Sequence, residues 1–269
     1  MFSTKLMAVL NVTPDSYFQP SRIEKSEKNW EVMLQERIEK FLNEGADILD
    51  IGGESTRPGA QSVSFDEELS RILPALQVAF RYKNIPISID TMKPEIAQIA
   101  IEHGASIIND VSGLQDERMI QLLEKNPHVQ AVLMHMKGSP KTMQQNLSDD
   151  HSVVQSVTSF FNENLDMLEK RGVDRKRIIL DPGIGFGKTL SDNLELMKAC
   201  RHFQALGCKL LYGISRKTWL GKLLNRDVDD RLPGTLAASS FLIEQGTHIL
   251  RVHDVQAHRD FITTLTTLR

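Results

Sequence analysis

The sequence predicts an α/β protein built as a single (β/α)8 barrel, and three observations predict it. Short apolar runs of strand length alternate along the chain with longer segments whose apolar residues recur at helical spacing, eight of each. A helix-to-strand joint is repeated in the segments starting at Gly45, Gly104 and Gly246. Each has a glycine, a small residue, a polar residue and two aliphatics, followed by Asp50, Asn109 or Arg251. A glycine placed so ends the preceding helix in the left-handed conformation, and the later polar residue marks where the strand leaves the core. The length of 269 residues, with 41% hydrophobic and 25% charged residues, suits one barrel domain over residues 1–269.

The first strand is expected over residues 6–10 and ends at Asn11, where the turn-rich segment 11–16 begins. Residues 30–42 carry Trp30, Met33, Leu34, Ile38, Phe41 and Leu42 at helical spacing and stop before Gly45. Ile48 and Leu49, between Asp47 and Asp50, are too short a run for a helix and suit a strand buried on both faces. Residues 65–82 read as a helix with Asp66, Glu67 and Glu68 in its first turn, where negative charge favours the dipole, and Pro74 predicts a kink. Residues 85–89 form the third strand, closed by Asp90. Pro94 opens a helix over 94–103, and the fourth strand at 107–108 ends at Asn109. A short helix over 117–125, a fifth strand over 129–134 ending at His135, and a long helix over 153–171 follow. The sixth strand, 178–180, ends at Asp181. A helix over 194–206 leads to the seventh strand, 209–214, which ends at Ser215-Arg216-Lys217. A helix over 234–244, an eighth strand over 249–252 and a helix over 255–268 close the alternation.

A formal net charge of −3 argues against a general binder of nucleic acid or anionic membranes and leaves room only for focused phosphate binding. Cys200 and Cys208 show no zinc or disulfide spacing and read as buried, reduced thiols. The apolar run at 6–10 is too short for a signal peptide or a membrane span, so a cytoplasmic location is expected.

Polar residues fall where a barrel carries its chemistry. Asn11, Asp90, Asn109, His135, Asp181, Lys217 and Arg251 lie at or just beyond the C-terminal ends of strands, which converge on one face. Each alone could cap the next helix. The loop at residues 52–59 adds a carboxylate at Glu54, a hydroxyl at Thr56 and a planar five-donor fork at Arg57. DPGIGFGK at 181–188 ends in a lysine, but three residues separate Gly183 from Gly187 where a Walker loop needs four. It reads instead as a flexible wall beside Asp181, with Phe186 presenting its ring to a ligand. Arg251 and His253, two apart on a strand, point to one side and can share an anion.

Eight motifs now stand in order: LNVTPDS at 10–16, GGESTRPG at 52–59, SIDT at 88–91, IND at 108–110, MHM at 134–136, LDPGIGFGK at 180–188, SRK at 215–217 and RVHDV at 251–255. Together they resemble the dihydropteroate synthase family over nearly the whole chain. The resemblance implies a pterin-binding barrel that joins 6-hydroxymethyl-7,8-dihydropterin diphosphate to 4-aminobenzoate, releasing diphosphate in folate biosynthesis. It implies catalytic roles for Asp90, Lys217 and Arg251. Pterin diphosphate would be held by Thr56, Asp90, Asn109, Asp181, Lys217, Arg251 and His253. The 4-aminobenzoate would be held by Thr56, Arg57, Pro58, Phe186, Lys217 and Thr218. It further implies a magnesium ion with Asn11 in the metal position, and a homodimer.

The residue chemistry is compatible. A carboxylate such as Asp181 accepts two N–H bonds of a pterin edge, Asn109 both donates and accepts, and Lys217 donates to the ring. Asn11 is a poor magnesium ligand by itself, so substrate oxygens and waters must complete the shell. One departure stands out: residues 17–22, Tyr-Phe-Gln-Pro-Ser-Arg, replace the acid and glycines usual in the family's first loop. A pterin-binding methyltransferase domain and a non-catalytic pterin-binding barrel remain as alternatives. The first needs no diphosphate site, and only the altered first loop favours the second.

Overall fold

The computed structural model describes residues 4–13, 30–56, 59–138 and 152–268. Eight parallel strands close into a barrel in chain order. They are β1 (Lys5–Asn11), β2 (Ile48–Gly52), β3 (Ile87–Asp90), β4 (Ile107–Asp110), β5 (Gln130–Met134), β6 (Ile178–Asp181), β7 (Lys209–Tyr212) and β8 (Ile249–Val252). The ring is shut by β8 pairing with β1, Lys5 beside Ile249 and Ala8 beside Val252, and Thr4 Oγ1 donates to the Thr247 carbonyl at 2.8 Å. The helices between them are α1 (Trp30–Asn43), α2 (Phe65–Ala79), α3 (Pro94–Glu102), α4 (Glu117–Lys125), α5 (Val153–Lys170), α6 (Leu190–Lys198), α7 (Cys200–Gln204), α8 (Thr218–Leu224), α9 (Leu232–Glu244) and α10 (Val255–Thr267). No helix among the described residues is long and apolar enough to cross a membrane.

Side chains alternate across each strand, so seven of the eight strands serve two cores, and β3 turns Ser88 and Asp90 to the interior instead. Leu6, Ala8, Leu10, Leu49, Ile51, Ile108, Leu133, Leu180 and Leu250 join the large outer cluster against the helices. Met7, Ile48, Ile107, Val132, Ile179, Leu211 and Ile249 form a separate cluster of seven that plugs the barrel's interior. Positions two further along the same strands therefore also point inward, above the plug. They are Val9, Asp50, Asn109, Met134, Asp181, Gly213 and Arg251, and the floor of the mouth is polar because the sequence makes it so.

Gly45, Gly104 and Gly246, the repeated joint, all sit in the left-handed region, with φ of +87°, +92° and +89°. The expected strands are present with ends shifted by at most two residues, except β2, which runs three residues past Leu49 to Gly52, and Cys200 and Cys208 are buried free thiols. The helices differ more. α2 runs through Pro74 and ends at Ala79, with Ser64 Oγ accepting from the Glu67 N–H at its start. The helix expected over 194–206 begins at Leu190, where Thr189 and Asp192 form a reciprocal capping box, and divides at Ala199 into α6 and α7. α8 was not expected. The Arg231 guanidinium lies against Gly221 at its centre, with Nη2 2.4 Å from where a Cβ would stand.

The loop leaving β2 is pressed onto α2. A Cβ on Gly53 would stand 2.6 Å from Ile72 Cγ2 and 3.1 Å from the Glu68 carbonyl, while Arg71 Nη1 donates to the Gly53 carbonyl at 2.8 Å. Gly53→Ala should therefore cost about 1–3 kcal/mol by overpacking, read as a lower urea midpoint at constant m. A change below about 0.5 kcal/mol would mean that α2 shifts freely and the contact does not set the loop.

Candidate active site

The site forms in the row of residues above the plug. Strand register sets Asn11 beside Gly52, Gly52 beside Asp90 and Asp90 beside Asn109. One step lower, Asp50 is fully enclosed inside the barrel. Its Oδ2 accepts from Arg251 Nε at 2.6 Å and from Asn109 Nδ2 at 3.2 Å. The same guanidinium reaches Asp90 Oδ2 with Nη2, also at 2.6 Å. Arg251 thus bridges two carboxylates carried by β2 and β3 from its own place on β8, and their charge holds it firmly protonated in spite of its burial. Burial pushes the Asp90 carboxyl up, against the pull of Arg251, and Asp90 Oδ1 has no hydrogen-bond partner among the described residues.

Asp181 ends β6 on the opposite wall. Its Oδ1 accepts from the Gly183 N–H at 2.8 Å, and burial raises its pKa while Lys217 lowers it. The glycine-rich segment after it follows the exit of β5 closely. A Cβ on Gly183 would lie 2.0 Å from the His135 carbonyl, and one on Gly187 would lie 2.3 Å from the Lys137 carbonyl; both glycines have positive φ. Lys188 ties the segment down by donating to the His135 and Phe186 carbonyls at 3.0 Å each, and is buried in doing so. A wall does stand beside Asp181, but it is pinned where a flexible one was expected, and its lysine is a strut. His135 packs its ring edge-on to Phe160 with centroids 5.1 Å apart.

Lys217 lies between the two walls. Its Nζ donates to the Ile184 carbonyl at 2.6 Å and sits 4.6 Å from the Phe186 ring centroid. Burial lowers its pKa to about 8, with Asp181 opposing the shift. His253 Nδ1 lies 3.0 Å from Ser215 Oγ, and burial together with Arg251 depresses its pKa to about 3. The imidazole is neutral at neutral pH and offers a hydrogen bond where the sequence had suggested a second cation. Thr218 is exposed at the start of α8, and Thr56 is half-buried after β2. Arg57, Pro58 and the unusual residues 17–22 lie outside the described residues.

Three participants were not singled out from the sequence. Asp50 stands in the sequence where a strand exit is expected, yet β2 runs on to Gly52 and turns its carboxylate inward. Lys93 and Glu68 bracket Glu54: Lys93 Nζ is paired with Glu54 and with Glu68 Oε2 at 2.6 Å, and Glu68 Oε1 accepts from Thr91 Oγ1 at 2.7 Å. Glu54 therefore anchors its loop to the β3 exit and α2.

Residues 7–253 match the family profile described as pterin binding enzyme. The dihydropteroate synthase of Synechocystis sp. is 40% identical over 255 residues, covering 94% of this chain and 86% of the relative. The chain belongs to the dihydropteroate synthase family. Among solved structures, the dihydropteroate synthase of Yersinia pestis in complex with a sulfonamide drug is 34% identical, with a TM-score of 0.90 over 99% of this chain and 94% of that one. The Xanthomonas albilineans dihydropteroate synthase in complex with 7,8-dihydropteroate is 32% identical, with a TM-score of 0.85 over 98% and 93%.

In this member of the dihydropteroate synthase family the two ends of the site are joined by one side chain. Arg251 does not stand apart from Asn109 and Asp90. It holds the same Asp50 oxygen as Asn109 and binds Asp90 directly. Arg251→Met would leave two enclosed carboxyls without their cation and should cost about 3–5 kcal/mol in urea unfolding. The loss should shrink as pH falls, because a carboxyl whose folded pKa lies above its unfolded value takes up its proton first in the folded state, as burial arranges for Asp90. A loss under about 1 kcal/mol, independent of pH, would remove the bridge from the account of stability.

Proposed function

We propose that this protein condenses 6-hydroxymethyl-7,8-dihydropterin diphosphate with 4-aminobenzoate, giving 7,8-dihydropteroate and diphosphate, as members of its family do. The observation that carries the reading is the barrel mouth, where carboxylates of β3 and β6 face a guanidinium from β8 and an ammonium from the β7 exit. Acidic acceptors suit the N–H-rich edge of a pterin, and two cations suit its diphosphate tail and ring carbonyl.

In this reading Asp181 and Asn109 take the ring edge, and Lys217 donates to the ring carbonyl and nitrogen. Asp90, whose Oδ1 has no protein partner among the described residues, faces the exocyclic methylene and stabilises the positive charge that grows there. The C–O bond to diphosphate breaks and its electron pair leaves with the phosphate oxygen, which Arg251 and the neutral His253 receive as donors. The amine lone pair of 4-aminobenzoate then forms the C–N bond, and the nitrogen's proton passes to solvent. An amine meeting so electron-poor a carbon needs no strong base. Phe186, Lys217, Thr56 and Thr218, with Arg57 and Pro58, form the second substrate's pocket in the same reading.

The chain's oxygen donors suit a magnesium ion held partly by substrate. Asn11 Oδ1 and the Asp90 side chain both face Gly52: a Cβ there would meet Asn11 Oδ1 and Asp90 Cβ at 3.4 Å each and Asp90 Oδ2 at 3.7 Å, filling the space between them. Among the described residues no group of three or more His, Cys, Asp or Glu side chains could hold a metal. Magnesium would thus join Asn11, the diphosphate oxygens and waters, and would neutralise leaving-group charge. A homodimer belongs to the same proposal, supported by Leu223, Leu224 and Phe241, exposed on α8 and α9. A cytoplasmic location is inferred because a diphosphate ester does not cross membranes unaided and must be used where it is made.

Turnover with both substrates and magnesium, followed as dihydropteroate formed, tests the reading. Methyl transfer from a methylated pterin in place of condensation would support the methyltransferase alternative. Asp181→Asn should weaken pterin diphosphate at least tenfold in calorimetry, about 1.4 kcal/mol, because an amide accepts at only one atom. A change under about threefold would take Asp181 out of the pocket.

The pH dependence isolates Lys217. Burial lowers its folded pKa, and the protonated amine makes the ring contact. Affinity for uncharged 6-hydroxymethyl pterin should therefore be lost as pH rises through about 8. Lys217→Met should be weaker throughout and level over the same range. A profile of the same shape in both proteins would assign the alkaline limb to another group.

A further inference from the structure

Arg216 takes no part in the proposed chemistry, yet many bonds hold it. Its φ is +52°, in the left-handed region that a residue with a Cβ avoids. Among the described residues Leu114 and Asn225 share this conformation, but Arg216 stands directly between Ser215 and Lys217, both part of the site. Its backbone N–H donates to Thr235 Oγ1 at 3.2 Å, and its carbonyl accepts from Arg231 Nη1 at 3.1 Å. Its guanidinium gives Nε to Asp254 Oδ2 at 2.8 Å and Nη2 to Asp254 Oδ1 at 2.9 Å, with Nη1 donating to the Val228 and Asp229 carbonyls at 2.9 and 2.8 Å.

The partner is equally committed. Asp254 occupies the N-cap position of α10, where an aspartate ordinarily accepts from the helix's first free N–H groups, but it makes no such bond. Both its oxygens face Arg216. The two side chains are nearly enclosed, and the parallel fork-to-carboxylate pairing joins the exit of β7 to the exit of β8. A left-handed residue reverses the chain within one step, and the Lys217 N–H closes that turn on the Ile214 carbonyl at 3.4 Å. Relaxing Arg216 to an ordinary conformation would rotate the Cα–Cβ bond of Lys217 away from Ile184 and Phe186.

We propose that Arg216 is a positioning residue for the site. Its paired bonds to Asp254 hold the left-handed turn that delivers the Lys217 ammonium to the Ile184 carbonyl and the Phe186 ring. The inference rests on the reading of this mouth as a pterin pocket. A lysine at 216 keeps the charge and loses the fork, whereas a glycine accepts the backbone and loses the anchor.

Calorimetric titration of 6-hydroxymethyl pterin into the full chain, with melting temperature measured in parallel, tests the proposal. Arg216→Lys, Arg216→Gly and Asp254→Asn should each weaken binding at least tenfold. Arg216→Lys added to Lys217→Ala should weaken it by less than a further twofold, because the ammonium it positions is already gone. A purely structural role would lower the melting temperature and leave the effect of Arg216→Lys undiminished without Lys217, and that result would overturn the proposal. So would parental affinity in both Arg216→Lys and Asp254→Asn. If Arg216→Gly fails to fold, Arg216→Lys and the nearly isosteric Asp254→Asn decide. A parent that binds the pterin but forms no dihydropteroate would sink the proposed reaction while leaving this comparison intact.

Discussion

One enclosed carboxylate, that of Asp50, sets the terms for the rest of the site. Inside the barrel it has no solvent to share its charge with, so it needs a cation and a donor, and Arg251 and Asn109 are those partners. Meeting that need draws the Arg251 guanidinium from β8 across to β2 and β3, where it also reaches Asp90. The site's electrostatics thus follow from a structural requirement lower in the barrel. The seven-residue apolar plug underneath sharpens the requirement, since it offers the carboxylate no polar partner from below.

Around this centre the walls are held by backbone contacts as much as by side chains. Gly183 and Gly187 let the segment after β6 lie against the β5 exit, and Lys188 fastens it there. Gly53 does the same for the loop after β2 against α2, with the Lys93, Glu54 and Glu68 cluster beneath it. Groups that face the mouth, such as Lys217, are therefore carried on supports that leave little choice of conformation, and binding a ligand need not order them anew.

Much of this was legible in the sequence, for identifiable reasons. Strands and helices differ in period, so their alternation was readable, and residues that end strands share one face of a barrel whatever else they do. Asp90, Asn109, Asp181, Lys217 and Arg251 were found that way. Asp50 was not, because the strand continues two residues past it and only its neighbours across the barrel show that it points inward. Lys93 and Glu68 escaped notice because their pairing spans 25 residues and depends on where α2 lies. The neutrality of His253 depends on burial beside Arg251, and the importance of Arg216 depends on a backbone angle; neither is written in composition or spacing. α8 has only seven residues, too short a stretch for helical spacing to stand out.

The pairing of β1 with β8 has a consequence for how the protein is made. Strand β1 is the first of the eight to leave the ribosome and its partner β8 emerges more than 200 residues later, so until then that edge offers unpaired N–H and C=O groups to whatever is nearby. The same last strand brings Arg251, the counter-charge of Asp50 and Asp90. Closure of the ring and neutralisation of its acidic interior are therefore one event, which waits for β8. Nascent chains of this enzyme should depend on chaperones until that moment, and fragments that stop before β8 should not settle into a stable partial barrel.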